Sequence, residues 1–351
     1  MKRMVALTIL AGVLVRLAVL AGAGETLGGW VRGLGADERI VSAALRAELG
    51  ETPETPAPPQ EQSAKAALPA AAESSEYYAA EEAESAGEAE TPQETAAPAE
   101  IVAHTITGAS SVHNSAGVAL DVEALAAEGL AGLRLPAEGP QVLIFHTHSS
   151  EAYTQDIYDP YEASDPYRTE DKRYNVIRVG DVLAERFEAA GLTVLHDREI
   201  YDYPSYTGSY TRSGAAVEQY LAAHPSIRIV IDLHRDAIGS GDAVYKTQAS
   251  LSGKTSAQVM LLVGTGQNGL WHPNWKENLK LALYMQAALD ARYPTLARPI
   301  ELVKERYNQQ LSTGFLLIEV GSTGNTLAEA TEAASLFGET VGPALAKLIE
   351  T

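Results

Sequence analysis

Two histidines and a glutamate follow abruptly on an apolar run: Val142-Leu143-Ile144-Phe145, then His146-Thr147-His148-Ser149-Ser150-Glu151. Four apolar residues in a row read as a strand buried on both faces. Ligands of α/β proteins gather beyond the carboxyl ends of such strands. His148 and Glu151 form an H-x-x-E pair, and imidazole with carboxylate is the donor set of a hydrolytic zinc site. A second run, Arg228-Ile229-Val230-Ile231-Asp232-Leu233, ends at His234-Arg235-Asp236, and a third, Phe315-Leu316-Leu317-Ile318, ends at Glu319-Val320-Gly321. These three strand ends predict a metallohydrolase. Zn2+ is expected on His148, Glu151 and His234, lowering the pKa of a water molecule to about 7. Glu319 is the candidate base that takes the water's proton and returns it to the leaving amine.

The neighbouring residues are given supporting roles. In an extended segment His146 points to the same side as His148, so it is either a second ligand or a hydrogen-bond partner just outside the ligands. His148 is preferred as the ligand because Glu151 follows at three. Asp232 and Asp236 are expected to orient His234, and Arg235 to hold a substrate carboxylate or polarise a carbonyl. His104, His113, His196 and His224 read as ordinary hydrogen-bonded histidines, and His272 as a loop residue. Ser149 and Ser150 lack a G-x-S-x-G elbow, which argues against a serine hydrolase.

The elements that must position these groups alternate from residue 140 onward. Strands are predicted at 141–147, 192–196, 228–233, 258–263 and 315–320. Helices are predicted near 174–190, 212–223, 274–292 and 326–349. The first helix carries Val176, Val179, Val182, Leu183 and Phe187 on one face, with Gly191 at its end. Near-continuous apolar strands alternating with helices imply an α/β fold, a mostly parallel twisted sheet covered by helices on both faces. Residues 139–351 are read as one catalytic domain. Tyr158, Tyr161, Tyr167, Tyr201, Tyr203, Tyr206 and Tyr210 fall in two connecting stretches and are expected to line a wet groove. Residues 152–173 are long enough to cover the site.

Ahead of that domain the composition changes. Met4–Gly24 is apolar apart from Thr8 and Arg16, long enough to span a bilayer. Lys2 and Arg3 would hold its start in the cytoplasm and leave the rest outside. A short helix is expected within 25–50. Residues 51–100, with twelve Glu and one Lys, are expected to be a disordered acidic Pro/Ala/Glu tether. Residues 101–138 read as a short ordered lead-in, with strand-like Ile101-Val102 and a capped helix near Asp121–Leu125. The net charge of −20 argues against a nucleic-acid partner, which needs a basic footprint. The absence of cysteine excludes thiol catalysis and Cys-type zinc sites.

The runs VLIFHTHSSEAYT (142–154), NVIRVGDVL (175–183), IDLHRDA (231–237) and RYNQQLSTGFLLIEVGSTGNTLAEA (306–330) resemble the stage II sporulation protein P family. The resemblance covers roughly Ile101 to the C-terminus. It implies a phosphorylase/hydrolase-like zinc amidase fold and a membrane-anchored peptidoglycan hydrolase. The implied activities are N-acetylmuramoyl-L-alanine amidase and endopeptidase, exerted during engulfment in sporulation. The implied partners are stage II sporulation protein D, a lytic transglycosylase, and other engulfment membrane proteins. Related amidases usually place the second zinc ligand at the start of the first helix, where this chain has Arg173-Tyr174-Asn175; Glu151 is the nearest acid, with Glu170 and Asp171 as fallbacks. A zinc carboxypeptidase and a catalytically inactive wall-binding scaffold are the rival readings.

Overall fold

The computed structural model describes residues 100–350 apart from 109–110, 131, 241–242 and 252. The expected membrane segment at 1–24, the short helix within 25–50 and all but the last residue of the acidic tether lie outside the described residues. Among the described residues no helix is long and apolar enough to cross a membrane.

Strand β1 is Glu100–His104 and β2 is Val112–Asn114, followed by helix α1, Val122–Glu128. Then come β3 (Val142–Phe145), α2 (Val176–Ala189), β4 (Val194–His196) and α3 (Ser209–Ala223). Strand β5 (Ile229–Asp236) leads into β6 (Gly239–Ser240) and β7 (Ala243–Thr247). The chain continues through β8 (Val259–Gly264), α4 (Trp275–Arg292), β9 (Ile300–Val303) and a 3-10 turn at Gln309–Leu311. It closes with β10 (Phe315–Ser322) and α5 (Leu327–Ala346).

Seven strands form one sheet in the order β2-β9-β8-β10-β5-β3-β4, and β1, β7 and β6 form a small second one. Within the large sheet, β4, β3, β5 and β10 run parallel. Strand β8 is antiparallel to β10 and parallel to β9, which is parallel to β2. The sheet is therefore two parallel blocks pointing in opposite directions, joined along one seam between β10 and β8. The expected parallel sheet is present with that one reversal. Strands β2, β6, β7 and β9 were not anticipated. The lead-in supplies β2 to the large sheet, so it belongs to the same compact unit as residues 139–351.

Burial follows the sequence pattern. All four residues of β3 are buried, as expected of a central strand flanked by neighbours on both sides. Ile144, Ile231, Ile318 and Val320 face the main core beneath α2, α4 and α5. Phe145, Val230 and Phe315 face the other way, against Val217 of α3. Phe145 meets Phe315 edge to face, with ring centroids 5.7 Å apart, a favoured aromatic geometry. Of the expected helices, α2 and α5 have side-chain caps at their N-termini. The Asn175 side chain accepts from the Ile177 amide at the start of α2. Gly191, at φ 94, takes the left-handed turn beyond its end. Thr326 and Glu329 make a reciprocal capping box at the start of α5.

A close approach between α2 and the sheet depends on Gly180. A Cβ there would lie 2.6 Å from His196 Nε2 and 2.8 Å from His146 Nε2. His146 has no exposed surface, so it cannot swing away. Gly180→Ala is expected to destabilise the fold by about 1–2 kcal/mol net of the helix propensity gained. A urea midpoint lowered with an unchanged slope would show this; an unchanged or raised midpoint would mean the histidine pair yields freely.

Candidate metal centre

Strand β3 stops at Phe145 and the chain turns at once. The Thr147 amide and hydroxyl both donate to Asp232, at 2.8 and 2.7 Å, and Ser149 Oγ donates to the His146 carbonyl at 2.6 Å. Ser150 donates through its amide and hydroxyl to Asp202. This turn carries Glu151 over to the first helix, where its carbonyl accepts from the Val176 amide at 2.8 Å. Glu151 thus lies at the N-terminus of α2 in space although it stands 25 positions before Val176, the helix's first residue, in sequence. The fallback acids are elsewhere: Asp171 is exposed enough to pair with Arg173, and Glu170 is exposed.

His148, Glu151 and His234 come together, all buried, with potential ligand atoms within 4.8 Å of one another. His148 Nδ1 and His234 Nδ1 each lie 3.4 Å from a different oxygen of Glu151. On the far side of its ring, His234 Nε2 is 2.8 Å from Asp232 Oδ1. That places a carboxylate behind one imidazole, an arrangement that fixes ring orientation and raises ligand basicity in metal sites. His148 Nε2 is buried without a hydrogen-bond partner among the described residues. Two imidazoles and one carboxylate converging in a buried pocket fit Zn2+.

The electrostatics fit the same reading. Burial works against the Glu151 carboxylate, but the His234 charge and hydrogen bonds from both imidazoles hold its pKa well below the ordinary value. Burial also works against protonated His234, yet the Asp232 and Glu151 carboxylates raise its pKa well above the ordinary value. His148, beside one carboxylate only, is pushed down by burial. A metal held here would compete with the proton on His234, so its affinity is expected to fall at acid pH.

Glu319 is the Cα partner of His234 across the β10–β5 ladder. Its Oε2 is buried with no partner among the described residues. Burial and the nearby Asp236 charge push its pKa up to about 8, against the pull of His234. A carboxyl poised in that range suits a group that must accept and then return a proton near neutral pH.

Three expectations change. His146 does not join the cluster: its Nδ1 donates to the Leu233 carbonyl at 2.7 Å and its Nε2 lies 2.8 Å from His196 Nε2. The strand ends before it, so the alternation that would align it with His148 no longer applies. Asp236 does not orient His234; it pairs with Arg298 at 2.6 Å because it is two residues further along β5. Arg235 is not free for substrate. Its Nε and Nη2 donate to the carbonyls of Ala152 and Tyr167, and its Nη1 to Thr323 Oγ1. Asp232 stands next to His234, with its Oδ1 2.8 Å from Nε2.

Residues that sequence reasoning overlooked surround the cluster. Arg168 donates to Asp202 at 2.7 Å and lies 3.8 Å from Glu151. It also sits over the Tyr206 ring, which stacks on His148 at 4.5 Å. Tyr210 meets His148 edge-on. Thus Tyr206 and Tyr210, two of the seven tyrosines singled out in the sequence, flank His148, and the 152–173 segment reaches the cluster through Arg168.

Comparisons with known proteins agree with the resemblance. Stage II sporulation protein P of Bacillus subtilis (strain 168) is 29% identical over 213 residues, covering 56% of this chain and 50% of that protein. The chain therefore spans about half the length of this curated relative. Among solved structures, the CwlD amidase of Clostridioides difficile, in complex with the GerS lipoprotein, has a TM-score of 0.37 at 14% identity, covering 59% of this chain and 98% of that one. The N-acetylmuramoyl-L-alanine amidase AmiC2 of Nostoc punctiforme has a TM-score of 0.34 at 10% identity, covering 60% and 97%. The family described as Stage II sporulation protein P (SpoIIP) matches residues 35–342, and the chain belongs to that family.

Proposed function

We propose that this chain is a zinc-dependent peptidoglycan hydrolase of sporulation. In this reading it removes stem peptides as an N-acetylmuramoyl-L-alanine amidase and also cuts peptide crosslinks. The observation that carries the reading is the meeting of His148, Glu151 and His234 beside Glu319, whose buried Oε2 has no hydrogen-bond partner among the described residues.

His148, Glu151 and His234 would hold Zn2+, and Asp232 keeps the His234 ring turned toward it. When bound, the ion supplies Lewis acidity to the amide carbonyl and to water. Glu319, as the carboxylate, takes the proton from the attacking water and delivers it to the leaving amine nitrogen, so the carboxylate is restored at the end of each turnover. Tyr206 and Tyr210 wall His148 with aromatic surface, and Arg168 helps keep Glu151 anionic. Residues 1–24 would anchor the chain in the membrane with its catalytic part outside. There it would act alongside the transglycosylase stage II sporulation protein D and other engulfment membrane proteins.

The test is elemental analysis of the purified protein together with mass spectrometry of products from intact sacculi. About one zinc per chain and free stem peptides are expected. Cut crosslinks without free stems would reassign the protein as an endopeptidase. Absence of both metal and products would leave a wall-binding scaffold.

A further inference from the structure

A second feature adjoins Glu319 across the seam of the sheet. Glu319 is the Cα partner of Met260 on β8. Met260 lines a cavity of about 320 Å³ together with Ile106, His113, Arg298, Pro299 and Glu301. Met260, Glu301 and His113 all lie at or near the starts of β8, β9 and β2. The cavity therefore opens beside the strand ends that carry the metal ligands.

Its chemistry is unusual for a structural crevice. Arg298 has a side chain 12% exposed, and its Nη1 donates to Asp236 at 2.6 Å. Its Nε is buried with no partner among the described residues. Arg235 makes the contrast, since all three of its side-chain nitrogens are engaged. A guanidinium with donors to spare beside a cavity is matched to a planar carboxylate. Glu301, on the same cavity, is held by His113 Nδ1 at 2.8 Å and by the Ser115 hydroxyl. Asp236 already pairs with Arg298, and Glu301 lines the same cavity, so a simple anion would meet two carboxylates. A group carrying both charges would not.

We propose that this cavity is the subsite for a zwitterionic α-amino-acid end group on the wall peptide, with its carboxylate on Arg298 and its ammonium facing Glu301. The proposal rests on the amide-hydrolysis reading above. Strand spacing supports the placement. Strand β9 lies two positions from β10, so Glu301 is about 10 Å across the sheet from the Glu319 strand. An extended peptide advances about 3.3–3.6 Å per residue, so with the first residue at the scissile bond the third lies about 7 Å on, and the remaining few Å are spanned by that third residue's own side chain. A diamino-dicarboxylic acid at that position, with its distal end uncrosslinked, presents both charges, whereas lysine presents only the ammonium.

The experiment compares two soluble muropeptides that differ only at the third residue, a free diamino-dicarboxylic acid or lysine, with the intact protein and its Arg298→Gln, Arg298→Lys and Glu301→Gln variants. The wild type is expected to prefer the zwitterionic stem by roughly tenfold or more in kcat/KM. Arg298→Gln is expected to erase that preference mainly through KM, with Arg298→Lys restoring part of it and Glu301→Gln reducing it. Equal slowing of both substrates by Arg298→Gln would overturn the proposal, showing that Arg298 acts only through Asp236. Release of both stems at equal rates by the wild type would overturn the subsite and leave the amidase reading standing. Release of neither would remove the amidase reading itself.

Discussion

Glu319→Gln is expected to reduce hydrolysis by about 10²–10⁴-fold while making the metal-free protein more stable at neutral pH. The two effects share one cause. The carboxyl of Glu319 is pushed from 4.5 to about 8 by burial and by Asp236. An acid whose folded pKa lies above its unfolded value opposes folding as the pH rises. The penalty is absent below about pH 4.5, grows between there and pH 8, and is complete above pH 8. At 1.36 kcal/mol per unit, it amounts to about 4 kcal/mol by pH 8. Glutamine keeps the shape and carries no charge. With chelator present, the variant should match the wild type near pH 5 and exceed it by several degrees in Tm near pH 8. A bound cation would draw the carboxyl back down, so added zinc should narrow the gap. Equal melting of the two proteins at pH 8 without metal would mean that the carboxylate finds solvent, and retained hydrolysis would remove Glu319 from the reaction.

Glu151→Ala should be the most damaging single change to metal binding and to the local fold together. Glu151 lies between His148 Nδ1 and His234 Nδ1, accepts from the Arg235 amide at 3.1 Å, and faces Arg168 at 3.8 Å. Zinc sites bind with about 10–16 kcal/mol in all, so losing one of three protein ligands should weaken binding by about 10²-fold or more. Removing the anion also leaves buried positive groups uncompensated, at about 3–5 kcal/mol. The pH dependence has two limbs. The lowered pKa of Glu151 stabilises the fold above the ordinary carboxylate value of 4.5, and that contribution is lost as pH falls through the depressed one. The raised pKa of His234 stabilises it below the ordinary 6.5, and that contribution is lost as pH rises through the elevated one. The wild-type advantage over Glu151→Ala in urea should thus be largest between about pH 4.5 and 6.5. Zinc titration and urea unfolding of both proteins would check this. Unchanged zinc affinity in the variant would return the ligand role to another acid.

Much of this was legible in the sequence because it follows local rules. Apolar runs of four to six residues marked β3, β5, β8 and β10, and their abrupt endings marked His148, His234 and Glu319. Asn175, Gly191 and Thr326 punctuated helices where side chains can satisfy the terminal amides and carbonyls. What escaped was set by contacts between distant segments. His146 was assigned an orientation from strand alternation, but the strand ends at Phe145 because Asp232, 85 residues away, captures the Thr147 amide. Arg168 lies in an irregular stretch with no periodicity, and only the folding of that stretch back onto Ser150 and Glu151 brings it to the site. Strand β9, four residues long after Pro299, is too short to stand out.

The reversal of direction at the β10–β8 seam has a consequence for how such a protein can diversify. On one side of the seam, residues toward the ends of the strands or just beyond them supply the candidate ligands and the candidate proton-transfer group. On the other, residues at and before the strand starts shape the neighbouring cavity, including Ile106 from the lead-in and Arg298 ahead of β9. In the proposed reading, chemistry and selectivity are thereby written in separate stretches of chain that meet only in space. Insertions or exchanges within 105–113 or 296–301 can retune what is accepted without touching the groups that break the bond. A fragment cut at residue 139 would lose part of that second wall along with β2, and would be a poor choice for measuring the preference of the whole protein.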